Sequence, residues 1–171
     1  EIVNTLLAGL ANIESVMKQS ADGDDAKSDS ALRSGLSIYR TRFHNIVSMQ
    51  RQLGLKESEG LQGRLRNAVH EAETKLAAHE VPRLTTLMLM MRRHEKDFML
   101  RGGDKYGEDF DKRQEQFANA LPESGLPKAV QDEIENAMKA YSQSFAGYQV
   151  TQSLLNDEIT DFATVFQRNR P

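Results

Sequence analysis

The sequence predicts an all-α fold of stacked antiparallel four-helix bundles that share long helices. Three observations carry this. Apolar residues recur at alternating steps of three and four along almost the whole chain, which is the period of a helix face packed in a bundle. Only 11 Gly and 4 Pro occur in 171 residues, too few for a turn-rich sandwich of many strands. The periodic segments also fall into a long and a short class, and short helices cannot cover a long one within a single bundle.

The first segment, residues 2–20, places Val3, Leu6, Leu10, Ile13 and Met17 on one heptad stripe. A polar loop rich in turn formers is expected over 21–28, with Asp29 or Ser30 capping the next helix. That helix, over 31–53, carries Leu32, Leu36, Tyr39, Phe43, Ile46, Gln50 and Leu53 on its stripe, and Gly54 supplies a stop. Residues 57–101 read as one long helix. Its stripe is Leu61, Leu65, Ala68, Ala72 and Leu76 before Pro82, and Leu84, Leu87, Met91, His94 and Phe98 after it. Pro82 removes a backbone donor and crowds the preceding turn, so a kink is expected near Val81, at the junction of the bundles.

Gly102 and Gly103 end this helix, and Asp104 is placed to cap a short one over 104–121 with Tyr106, Phe110, Arg113 and Phe117 on one face. Pro127 suits the first turn of the last helix, over 128–168. There Ile134, Met138, Tyr141, Phe145, Tyr148, Gln152, Leu155, Ile159, Phe162 and Phe166 keep the heptad to the end. Segments 57–101 and 128–168 would each extend roughly 60–65 Å. The expected modules are therefore residues 1–81 and 82–171. Tyr39, Phe43, Gln50 and Leu53 recur at the same spacing as Tyr141, Phe145, Gln152 and Leu155. This echo fits either a duplicated helical module or the shared heptads of any two bundle helices.

Composition excludes several function classes. Net charge is −3 and pI about 5.8, so the basic excess of a phosphate-binding surface is missing. Mean hydropathy is −0.59, and no stretch approaches the ~20 apolar residues of a membrane span. With no cysteine there are no disulfides, thiolate nucleophiles or Cys-based metal sites. No Glu-x-x-His pair of the di-iron bundles precedes His44, His70, His79 or His94. No phosphate-cradling Gly loop, nucleophile elbow or zinc-protease helix occurs. His44, His70 and His79 fall off the main stripes, which argues against a bis-His haem bundle. No enzymatic activity, cofactor or metal is expected.

One stretch is distinctive: Met91-Arg92-Arg93-His94-Glu95-Lys96-Asp97-Phe98-Met99-Leu100-Arg101-Gly102, followed by Asp104-Lys105-Tyr106. It resembles the periplasmic sensor domains of bacterial methyl-accepting chemotaxis receptors, above all the helical bimodular type. Tyr39 and Phe43, then Leu53-Gly54-Leu55, Gly60-Leu61, Gly63, Leu65-Arg66, Ala68-Val69-His70 and Glu73, are similar to the preceding segment of those receptors. The resemblance implies two stacked four-helix bundles that project from the inner membrane into the periplasm and dimerise. It implies a sensor of small organic acids that signals through membrane helices, absent from this chain, to a cytoplasmic kinase-control region. Five helices rather than six, and a start at Glu1, read as a chain trimmed at its N-terminus or a piece of a receptor with more modules.

Candidate ligand donors follow from charge and position. An Arg fork binds a carboxylate through two charge-assisted bonds, and a dicarboxylate needs two or more such donors. Arg92, Arg93, His94 and Arg101 form the donor pool, with Arg64 as a weaker member. For each Arg the alternative is solvated charge or pairing with Glu95, Asp97 or Asp104. For His94 it is a hydrogen-bonded core residue. Gln50 and Gln152 sit at stripe positions, where a polar side chain either fixes register or reaches a ligand. The bland functional alternative is a helical spacer or protein-interaction module without a small-molecule ligand. The stripe at Ile159, Phe162 and Phe166 has no obvious intrachain partner, which predicts a homodimer. No nucleic-acid partner is expected.

Overall fold

A computed structural model describes residues 26–168 together with residue 15. The stripe predicted at Val3–Met17 and the loop before residue 26 lie outside the described residues. The described chain is all-α, with no strand among these residues. Its helices are α1 (Ala26–Leu53), α2 (Gly60–Ala77), α3 (Pro82–Arg101), α4 (Asp104–Ala120) and α5 (Lys128–Arg168), with a short 3-10 turn at Pro122–Ser124.

Helix α1 is already formed at Ala26, ahead of the cap expected at Asp29 or Ser30. Ala26 and Lys27 are strong helix formers and extend it backwards. Gly54 ends it at φ +116°, where a Cβ would run into the backbone carbonyl of Glu59. Only glycine fits that approach. The loop is closed by Glu59 N–H on Lys56 O at 3.0 Å and Gly63 N–H on Glu59 O at 2.9 Å.

The single kinked helix expected over 57–101 is two helices. α2 stops at Ala77, residues 78–81 form a turn, and Pro82 is the first residue of α3. The reason is local. Proline fits the first helical position, where no N–H is needed, and it pushes the residue before it out of the helical region. Val81 accordingly sits at φ −123°, ψ 67°. A helix start and an interior kink both satisfy the same proline. At the other end Gly103 rather than Asp104 occupies the capping position of α4, and Asp104 is its first helical residue.

The break lets the chain fold back, and this redraws the expected modules. In place of 1–81 and 82–171, one compact unit is Leu53–Thr151. The other joins the stretch up to Gln52 to that from Gln152 onward. The first is a complete up-down-up-down four-helix bundle of α2, α3, α4 and the first part of α5. Lys75 pairs with Glu133 at 3.0 Å and Leu61 lies against Gly147, so α2 and α5 are antiparallel. Glu95 meets Tyr141, and Phe98 meets Phe145 and Tyr148 with ring centroids 5.6 and 6.4 Å apart, so α3 and α5 are parallel. Phe110 of α4 packs on Tyr141 at 5.3 Å and Phe145 at 4.4 Å.

The core of this bundle takes Leu65, Val69, Ala72 and Leu76 from α2, Leu84, Met88 and Met91 from α3, and Phe110 and Phe117 from α4. α5 adds Ile134, Met138, Tyr141 and Phe145. Each large apolar side chain buried there contributes about 1.5–3 kcal/mol. Val69 and Met88 are buried where the sequence stripe had named their neighbours Ala68 and Leu87, both half-buried.

In the other unit, α1 and the end of α5 form an antiparallel pair. Arg42 bridges to Glu158 at 3.3 Å and Asp161 at 2.9 Å, and Asn45 donates to Glu158 at 3.2 Å. Phe162 packs against Tyr39, centroids 4.3 Å apart, and Phe43 at 6.4 Å. Phe162 therefore has the intrachain partners that the sequence reading denied it, whereas Ile159 remains 45% exposed. The Phe166 side chain lies outside the described residues. Among the described residues, no helix is long and apolar enough to cross a membrane.

Candidate functional site

Helix α3 carries the distinctive stretch from Met91 to Gly102, and its inward face holds more than apolar groups. Leu84, Met88, Met91, Glu95 and Phe98 are all buried, at steps of four and three. The fourth of them is a carboxylate only 1% exposed. Tyr141 donates its hydroxyl to Glu95 Oε2 at 2.8 Å, and Lys96 Nζ lies 2.8 Å from Glu95 Oε1. A buried charge is tolerated when it is paired and hydrogen-bonded in this way. Burial pushes the Tyr141 phenol well above its ordinary pKa of 10, and the adjacent Glu95 carboxylate adds to the effect. Tyr141 is thus a fixed hydrogen-bond donor.

A second ionic group sits beside the first. Arg92 pairs with Glu73 of α2, both being half-buried, and Glu73 also meets His70 Nδ1 at 3.1 Å. Charges on Arg92 and Glu73 both act on Tyr141, so the two pairs share one electrostatic neighbourhood.

The predicted donors are dispersed. Successive residues on a helix point about 100° apart, so Arg92 and His94 face different neighbours. Arg92 turns to α2. His94, 6% exposed, is coupled to Asp109 and Arg113 of α4. Its pKa is held below 6.5 first by burial. Asp109 opposes that, and Arg93 and Arg113 reinforce it. Arg93 is exposed. Arg101 is exposed at the end of α3, 3.2 Å from Asp97, and donates to the Tyr106 hydroxyl at 3.4 Å. That hydrogen bond, with Asp97, raises its pKa.

Arg64 is exposed on α2, Gln50 is exposed on α1, and Gln152 is half-buried with its amide donating to Asn156 at 3.1 Å. Both glutamines belong to the unit of α1 and the end of α5. The four-residue pool of α3 is therefore one interior histidine, one half-buried ion pair and two exposed arginines. No cluster of three His, Asp or Glu among the described residues is placed to hold a metal ion.

Sequence reading missed Glu95 as an interior residue and took it for a surface counter-charge. The signal was present, because Leu84, Met88, Met91, Glu95 and Phe98 keep a heptad, and a buried Tyr141 needs an acceptor for its hydroxyl.

No known protein family matches this chain, and neither a curated protein nor a solved structure is detectably similar to it.

Proposed function

We propose that the chain is the extracytoplasmic sensor region of a transmembrane chemoreceptor. It binds a small organic acid and passes a conformational change along its helices towards the cytoplasm. The observation that carries this reading is the group of ionisable side chains drawn into the bundle: Glu95 and His94 buried, and Arg92 paired with Glu73 at half-burial. Placing charge there costs desolvation energy that an apolar seam avoids, and a spacer has no need of it. The resemblance of Met91–Tyr106 to chemoreceptor sensor domains supports the same reading. So does α5, which contributes to both compact units as one unbroken helix. A sensor requires two arrangements that differ in ligand affinity, and a helix common to both units is a natural carrier of that difference. In this reading the receptor is a homodimer anchored in the inner membrane, with the bundle on the periplasmic side.

A second reading has its own observation. Arg92 already pairs with Glu73, and Arg101 with Asp97, as expected of a structural helical module that binds no small molecule. A thermal-shift screen of mono- and dicarboxylates separates the two. A ligand at 100 times its Kd stabilises the fold by about 2.7 kcal/mol, which raises Tm by several degrees. No shift with any organic acid leaves the structural reading in its place.

A further inference from the structure

We propose that the open groove between α3 and α4 binds a small monocarboxylate with an apolar body, its carboxylate on Arg113 and its body on Leu87 and Met90. The proposal deepens the sensor reading by giving the organic acid a different seat from the Arg92–Arg101 stretch. The groove is open to solvent, spans about 550 Å³ and is lined by Arg83, Thr86, Leu87 and Met90 of α3 and by Arg113 and Gln116 of α4. That volume lies within the range of small-molecule sites, which combine apolar walls with a few placed polar groups.

Charge selects the ligand. Arg83 is already balanced by Glu123 at 2.9 Å. Arg113 is half-buried on the inward side of α4, and its guanidinium donates to the neutral Gln116 amide oxygen at 2.8 Å. Among the described residues no carboxylate forms an ion pair with Arg113. His94, the next residue along the same row of α3, is electrostatically coupled to Arg113 and to Asp109, one turn earlier on α4, and burial lowers its pKa below 6.5. A cation outside any ion pair calls for one carboxylate, bound by the planar fork. The opposite wall is apolar: Leu87 is half-buried and Met90 is 37% exposed. A methionine wall adapts to varied apolar shapes.

The test uses benzoate as the probe and benzamide, its neutral counterpart, as the control. The whole chain is followed by thermal shift and by amide NMR. Benzoate at millimolar concentration should raise Tm and move the amide signals of residues 83–90 and 113–116, and benzamide should do neither. Arg113→Gln should weaken benzoate by about tenfold or more, and Met90→Glu should abolish binding by repelling the carboxylate. Both positions are partly exposed, so both variants should fold. Arg66→Gln, on the exposed side of α2, should bind like the parent. Benzoate binding that survives both groove variants overturns the proposal. So does an absence of benzoate binding. If succinate or acetate then binds and shifts signals elsewhere, the sensor reading stands without the groove. If no carboxylate binds, both fall.

Discussion

Tyr141 and Glu95 meet 46 positions apart in sequence, at a place where neither tolerates a missing partner. Replacing Tyr141 with Phe keeps the ring packing on Phe110 but deprives the Oε2 atom of the buried Glu95 of its donor, leaving Lys96 on Oε1. A loss of about 1–3 kcal/mol is expected from urea unfolding. Glu95→Gln should cost less, because its amide oxygen still accepts from Tyr141, and the double variant should be non-additive. His94 gives a pH dependence. Its folded pKa is depressed below 6.5, so between the two values the unfolded chain binds more protons than the folded one. Stability is thus full above about pH 6.5 and falls as pH drops through the folded pKa. Unfolding midpoints at pH 7.5 and 5.5 should show this loss in the parent and a smaller one in His94→Gln. Sequence spacing was enough to put His94 inside. It was not enough to put Arg92 and His94 on different neighbours, because that depends on which helix lies on each side of α3.

Helix α5 was legible in full, since its heptad is unbroken and Pro127 marks its start. The α2–α3 turn was not. Proline inside a periodic stretch satisfies both a kink and a helix start, and the choice rests on whether Leu76 and Leu84 bury better in one straight column or in two facing ones. Here both are buried in one core, which a hairpin achieves and a continuous helix does not. Gly54 tests the other turn of this kind. Its φ of +116° and its closeness to the Glu59 carbonyl make Gly54→Ala destabilising by more than about 1 kcal/mol. The loss should appear as a lower urea midpoint with an unchanged slope. Gly125, also at positive φ but with open space around its Cα, should show a smaller effect on the same substitution.

At the scale of the molecule, buried apolar side chains are unevenly shared. Apart from Leu155, those among the described residues belong to Leu53–Thr151. Hydrogen exchange should therefore protect α2–α4 most strongly and release α1 earlier, since local opening costs less where fewer apolar groups are buried. Uniform protection across α1 and α3 would contradict this. Ile38, Leu154 and Ile159 remain exposed in the unit of α1 and the end of α5, and the proposed homodimer would cover such groups. Sedimentation at high micromolar concentration should show a dimer, and a monomer there removes that part of the proposal. The continuity of α5 has one more consequence, for evolution by insertion and deletion. Each residue added to a helix advances it by about 1.5 Å and turns it by about 100°. One residue gained between Tyr141 and Phe145 would turn Phe145 and Tyr148 away from Phe98 and Phe110. Seven would restore the phase to within about 20°. Length variants of this chain that still fold should therefore differ within residues 128–151 by whole heptads, while the loop at 55–59 is held to its length by the approach of the Glu59 carbonyl to Gly54.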